Sequence, residues 1–273
     1  MTSPRPTNPR RWTGLALASV TLAATGPVAA QIRLPDLAIY TPAPDAQLWT
    51  VQAEGGEGGE AGAIAGVAPD VAYLAQLSIV EGHLVAAANL YSKGMVDEAV
   101  GLSYHPEAEM MDAVRESLTA HGAADFTPEM TAFSGTLEAG ATAADVATAL
   151  TTFRTAVATA AAAGSTEPRV RLDAMVTVLR AAASEYAGSI EAGAVNDVMA
   201  YHEAHAFVAV ARDLAKTLTA DSKAAAAAEK ALTAMTAADE AFGDMTLAKV
   251  EARDPAILLA VAARAELAAS TVR

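Results

Sequence analysis

From Pro69 onward, apolar residues recur every three or four positions and rarely alternate. That period predicts helices rather than strands. Leu74, Leu77, Leu84 and Tyr91 lie near one stripe, and Gly94 ends it. A short helix is expected over about Val96 to Tyr104. Another runs from Pro106, whose fixed φ suits a first turn, to His121 and Gly122. Thr127-Pro128-Glu129 reads as an N-cap, a first-turn proline and a favourable first-turn acid. Val146, Leu150, Phe153 and Val157 mark a helix ended at Gly164; Leu172, Met175, Val176, Leu179 and Tyr186 mark one after Pro168. Val195 to Leu218 predicts a long helix, and Ser222 to Phe242 an Ala-rich one closed by Gly243. Asp254-Pro255 opens the last, with Ile257, Leu258, Val261 and Leu267 inward.

These eight or nine helices carry few aromatics, so their cores are built from Ala, Leu, Val and Met. The expected fold class is all-α, an Ala-rich multi-helix bundle over residues 69–273. The turn around Gly94 resembles that of a tetratricopeptide unit, but it occurs once, so it reads as a single helical hairpin.

The N-terminal part has a different pattern. Arg5, Arg10 and Arg11 precede an apolar stretch from Leu15 to about Ala24 and a small-residue exit, Val28-Ala29-Ala30. This is the layout of a secretory signal peptide over residues 1–30, too short for a lasting anchor. Residues 31–68 hold Pro35, Pro42, Pro44 and the run Gly55-Gly56-Glu57-Gly58-Gly59-Glu60. Such sequence buries too little surface to offset its ordering entropy and predicts a flexible acidic linker. After it, no apolar run is expected to reach the length of a membrane helix. A periplasmic or secreted protein follows, not an integral membrane one.

Losing Arg5, Arg10 and Arg11 but no acid takes the formal charge from −14 to −17 and leaves 243 of the 273 residues. That surface repels nucleic acid and anionic lipid and attracts cations. The chain has no cysteine, so disulfides and thiolate metal sites are excluded.

The candidate chemistry rests on histidine. His83 lies eleven residues before Gly94 and His105 eleven after it, so an antiparallel hairpin brings them to similar heights. His202 and His205, three apart, share one helix face. His83, His105, His202 and His205, with Glu107 and Glu109 beside His105, form the expected ligand set for an iron or copper ion. Glu81 and Glu203 each precede a histidine by two residues and point to the opposite face. His121, at a helix end, reads as structural. No zinc-protease helix, phosphate loop, nucleophile elbow or ferritin-type Glu-x-x-His is present, so the sequence leans away from an enzyme.

One stretch carries a family resemblance. Val178-Leu179 through Glu185-Tyr186, then Ser189-Ile190, Gly193-Ala194-Val195-Asn196 and Tyr201-His202-Glu203-Ala204 with Phe207, resembles the extracytoplasmic helical region of bacterial high-affinity iron permeases. Ala200 stands where that family has an acid before the Tyr, and the permease's membrane helices and Glu-rich motifs are absent. The resemblance implies a periplasmic, iron-linked helical protein. Gly82-x-Leu84 lacks the His of the imelysin-type motif, Gly-x-His-x-x-Glu. The expected function is periplasmic metal handling; the alternative is a non-catalytic module docking to an envelope protein partner.

Overall fold

The computed structural model describes residues 58–243, 245 and 252–273, all within the unit Thr50–Arg273. The expected signal peptide, and the expected linker up to residue 57, lie outside the described residues. α1 (Gly58–Ile64) is followed by α2 (Pro69–Ser92), α3 (Val96–Ser103), α4 (His105–Glu109), α5 (Met111–His121), α6 (Thr127–Glu138) and α7 (Ala143–Ala161). Then come α8 (Pro168–Gly188), a turn formed by β1 (Ile190–Glu191) and β2 (Ala194–Val195), and α9 (Val198–Leu218). α10 (Ala225–Met235) runs into a 3-10 turn over Thr236–Glu240, and α11 (Ala256–Ala269) closes the chain. The all-α bundle is the observed architecture.

α2, α8 and α9 pack against one another at the centre. α2 starts with Pro69 at its first turn and Asp70 beside the positive helix end, and it stops where Gly94 takes φ 80°. Its buried residues run all round, from Val71 to Leu90, which marks a core helix. Contrary to the sequence expectation, α2 is long and apolar enough to cross a bilayer, yet 72% of its apolar window is buried inside the bundle. Arg154 of α7 ties the centre together, reaching Glu81 of α2 at 2.7 Å and Asp213 of α9 at 3.0 Å.

At Gly82, α2 and α9 approach so closely that a Cβ there would collide with the Phe207 ring. Gly82→Ala must push α9 away or turn Phe207 out of the core, at a cost of about 1–3 kcal/mol. Urea unfolding should register that loss, and an unchanged midpoint would show that the ring yields freely.

Five local features depart from the sequence reading, and the first three position the site. First, the helix expected over Pro106–His121 is two helices, broken at Met110 (φ −140°, ψ −14°). The break lets His105 and Glu109, one turn apart on α4, follow a direction independent of α5. Second, a short hairpin joins α8 to α9, where no strand was expected. Ile190 pairs with Val195 and Glu191 with Ala194, and Ala192 (φ 52°) and Gly193 (φ 81°) turn the chain with the doubly positive φ of a type I′ turn. Asp197 then caps α9 by accepting from the Ala200 N–H at 3.1 Å. Third, Gly58–Ile64, inside the expected linker, is helical and packs on α8, with Ala63 in the core and Glu60 buried. Ala61, Ala63 and Ile64 give this segment the apolar surface that the glycines before it lack. Fourth, Leu267, expected inward, is 70% exposed; Leu258, Val261, Ala265 and Ala269 form the buried face of α11 instead. Thr127, expected as an N-cap, begins α6 without a side-chain cap, and its N–H is held by Asp125 at 2.9 Å.

Candidate metal centre

Five helices converge on one buried polar cluster. His83 comes from the middle of α2, His105 and Glu109 from α4, Glu60 from α1, Glu185 from α8 and Glu203 from α9. His83 is completely buried, Glu185 is 3% exposed and Glu203 5%.

The His83 ring is locked in one sense. Its Nδ1 lies 2.9 Å from the Ile79 carbonyl. A carbonyl can only accept, so Nδ1 carries the proton of the neutral ring and Nε2 holds the lone pair. A metal-binding histidine is oriented in this way by its other nitrogen. Around Nε2 lie Glu60 Oε1 at 3.1 Å, Glu203 Oε1 at 3.4 Å and Glu109 Oε2 at 3.7 Å. None of them closes a hydrogen bond with Nε2, which aims into the gap between the oxygens at ion-pair distances. His105 Nδ1 stands 3.2 Å from Glu203 Oε1 and 3.6 Å from Glu109 Oε1. The two rings are 6.3 Å apart, edge to face.

These spacings fit an ion. Ligands bonded at about 2.1 Å lie roughly 3.0 Å apart at neighbouring octahedral positions and roughly 3.4 Å apart on a tetrahedron. Two groups of donors meet this need: His83, His105 and Glu203, and Glu60, His83 and Glu109, each with ligand atoms within 4.8 Å of one another. A cavity of about 40 Å³ opens beside them, lined by Glu60, His105, Glu109, Glu185, Asp197 and Glu203 among others. It has room for an ion with one or two waters.

The cluster is electrostatically unbalanced without a cation. Burial alone would lower the pKa of His83, but the Glu60 and Glu203 carboxylates outweigh it and hold the ring well above its ordinary value. The hydrogen bond to Glu203 raises His105 in the same direction. Burial pushes Glu60 up, partly opposed by His83. Glu109 is also pushed up by burial, but His83 and His105 prevail and leave it below the usual range. Glu185 is raised to about 9 by burial first, then by the Glu60 and Glu203 charges. Four carboxylates thus face two imidazoles, and protons supply the balance an ion could supply.

The structure gathers only part of the ligand set expected from sequence. His83, His105 and Glu109 meet. Glu107 points away and pairs with Arg115 at 2.6 Å. His202 and His205 stay outside the cluster, with His205 5.0 Å from the Phe242 ring and His202 6.1 Å from Tyr201. His202 is 1% exposed and neither of its ring nitrogens has a hydrogen-bond partner. Burial pushes it down to about 4, the Met245 backbone acting in the opposite sense. Burial lowers His205 as well. Both are neutral residues in an apolar setting, because α9 is buried on nearly all sides and its His-bearing face meets α10 and the Phe242 region. Glu60, Glu185 and Glu203 join the cluster without having been expected there. His121 fits its structural reading, stacking on Tyr73 at 3.8 Å with Nδ1 2.8 Å from the Ser117 carbonyl.

Residues 161–272 match the iron permease-associated 4-helix bundle domain, about two fifths of the chain, and the match spans α8 to α11. The resemblance read from Val178 to Phe207 falls inside it. Glu185 and Glu203 belong to the matched part; Glu60, His83, His105 and Glu109 lie before it. No curated protein and no solved structure matches the chain.

Proposed function

We propose that this protein binds iron in the cell envelope and hands it to, or holds it for, an iron-uptake system. The observation that carries the reading is His83 Nε2, fully buried and without a hydrogen bond, facing three carboxylate oxygens at 3.1–3.7 Å. A carboxylate-rich donor set with two imidazoles and no thiolate suits iron or manganese better than cuprous copper. The match to an iron permease-associated domain supports the choice of iron. The basic, apolar and small-residue succession over residues 1–30 supports export. A docking module without ion chemistry, the alternative reading, gives no reason to bury four carboxylates around two histidines.

The test is anaerobic Fe²⁺ titration of the metal-free protein, followed by calorimetry. Wild type should take up the ion with micromolar or tighter affinity. The double variant His202→Ala/His205→Ala should keep that affinity within about threefold, since neither ring reaches the cluster. Wild-type protein that takes up no iron would sink the proposal.

A further inference from the structure

We infer that the centre seats two metal ions, bridged by Glu109 and Glu203, with Glu185 as a terminal ligand of the second. The inference rests on the ion-binding reading above and adds its stoichiometry.

The bridging geometry is already present. Glu109 turns one oxygen to each imidazole, with Oε2 3.7 Å from His83 Nε2 and Oε1 3.6 Å from His105 Nδ1. Glu203 Oε1 lies between both rings, at 3.4 Å and 3.2 Å. His83 belongs to both donor groups but its nitrogen binds one ion only, so an ion held by His83 with Glu60 leaves His105 and Glu203 for a second. The first takes His83 and Glu60; the second takes His105. Paired metal ions sit about 3.5–4 Å apart, the span of a carboxylate bridging through its two oxygens.

The second seat has its own space and its own unused ligand. The cavity of about 40 Å³ is lined by His105, Glu109, Glu203, Glu185, Asp197 and also Glu60, and His83 does not line it. It opens beside His105 and reaches the first seat only through Glu60. Glu185 faces it, 3% exposed, and its carboxyl group has neither a hydrogen bond nor an ion pair among the described residues. A carboxyl buried to that degree without a partner costs stability unless something in the cavity binds it. It stands apart from the two donor groups whose atoms lie within 4.8 Å of one another, so an ion in the cavity has to draw its side chain in.

The donor count agrees. Carboxylate-bridged two-metal sites in helical bundles use four carboxylates and two imidazoles. Glu60, Glu109, Glu185, Glu203, His83 and His105 supply that set from five helices, without the Glu-x-x-His spacing. Four ionised carboxylates also balance two divalent cations.

Mn²⁺ is the probe, because a coupled pair and an isolated ion give different electron paramagnetic resonance spectra. Metal-free wild type should bind two equivalents and show the broad multiline signal of an exchange-coupled pair. Glu185→Gln, which keeps the shape of the buried side chain, should bind one equivalent and give a six-line signal. His105→Ala should do the same from the opposite wall of the cavity. Wild type saturating at one equivalent, or either variant keeping the coupled pair, overturns the second seat while leaving iron binding in place. Wild type that binds neither Mn²⁺ nor Fe²⁺ fails at the earlier step, and the two failures are told apart by that titration.

Discussion

His83→Ala should lower the affinity for Fe²⁺ or Mn²⁺ at least about 100-fold. Disturbing only the groups that orient a metal ligand commonly costs 10- to 100-fold, so losing the ligand itself costs no less. His83 is the strongest case because its nitrogen is both oriented and unsatisfied. Its Nδ1 is tied to Ile79, and its Nε2 has no other use than the gap between Glu60, Glu109 and Glu203. The same residue sets a pH dependence. In the metal-free protein its pKa is held well above 6.5, so an ion must displace a proton to bind. Affinity should therefore rise with pH from about 6 to 8. Folding stability contributed by the charged ring goes the other way. It is fully present below the unfolded pKa and is lost as pH rises through the raised folded one. Calorimetry of wild type and variant at several pH values checks both statements. Equal affinities for the two proteins would remove His83 from the site.

The helices were readable because the apolar period, the prolines at helix starts and the glycine after α2 act locally. Pro69, Pro106 and Pro168 each fall in the first turn of a helix, and Gly94 ends α2. The departures are those that local signals do not encode. Nothing in Met110-Met111 announces the break that frees α4 from α5. Ala192 in positive φ is imposed by the α8–α9 connection rather than preferred by alanine. Within the site, equal spacing from Gly94 found His83 and His105, since hairpin geometry is a property of sequence distance. The spacing of His202 and His205 told only that they share a face, not which neighbour that face meets. On α9 the run from Ala200 to Ala204 is buried all round, so a face assignment discriminates nothing there. Glu203 therefore holds the place that His202 and His205 were expected to take. Glu60 was hidden in a Gly-rich run, although burial of its carboxylate on His83 is what α1 contributes. A signal did exist for Glu185 and Glu203: each is an acid flanked by Ala and aromatic residues within a long helix. An acid there has no solvent face and needs a buried cationic partner.

Glu185→Gln should stabilise the metal-free protein at neutral pH while weakening the loaded one. The Glu185 pKa is raised from 4.5 to about 9 by burial, so the native state keeps its proton where the unfolded chain has lost it. Native protein then binds more protons than unfolded protein between those values, and stability falls as pH rises through that window. At 1.36 kcal/mol per pKa unit the accumulated cost at pH 7 is about 3 kcal/mol, an upper figure because relaxation and water entry reduce it. Glutamine carries no such cost and fills the same volume. In the presence of chelator, its Tm should exceed wild type by roughly 5–10 °C at pH 7. The difference should shrink towards pH 4.5, where the unfolded carboxyl is half protonated, and close below it, where Glu185 is neutral in both states. Saturating Mn²⁺ should reverse the order, since binding to the native state adds stability in proportion to the logarithm of ligand over Kd and the variant gives up one seat. Thermal midpoints measured across pH 4.5–8.5, with chelator and with Mn²⁺, decide the matter. Parallel curves for the two proteins would show that the Glu185 carboxyl is solvated. A buried acid that weakens the empty protein and strengthens the filled one is what a ligand held in wait for a cation looks like.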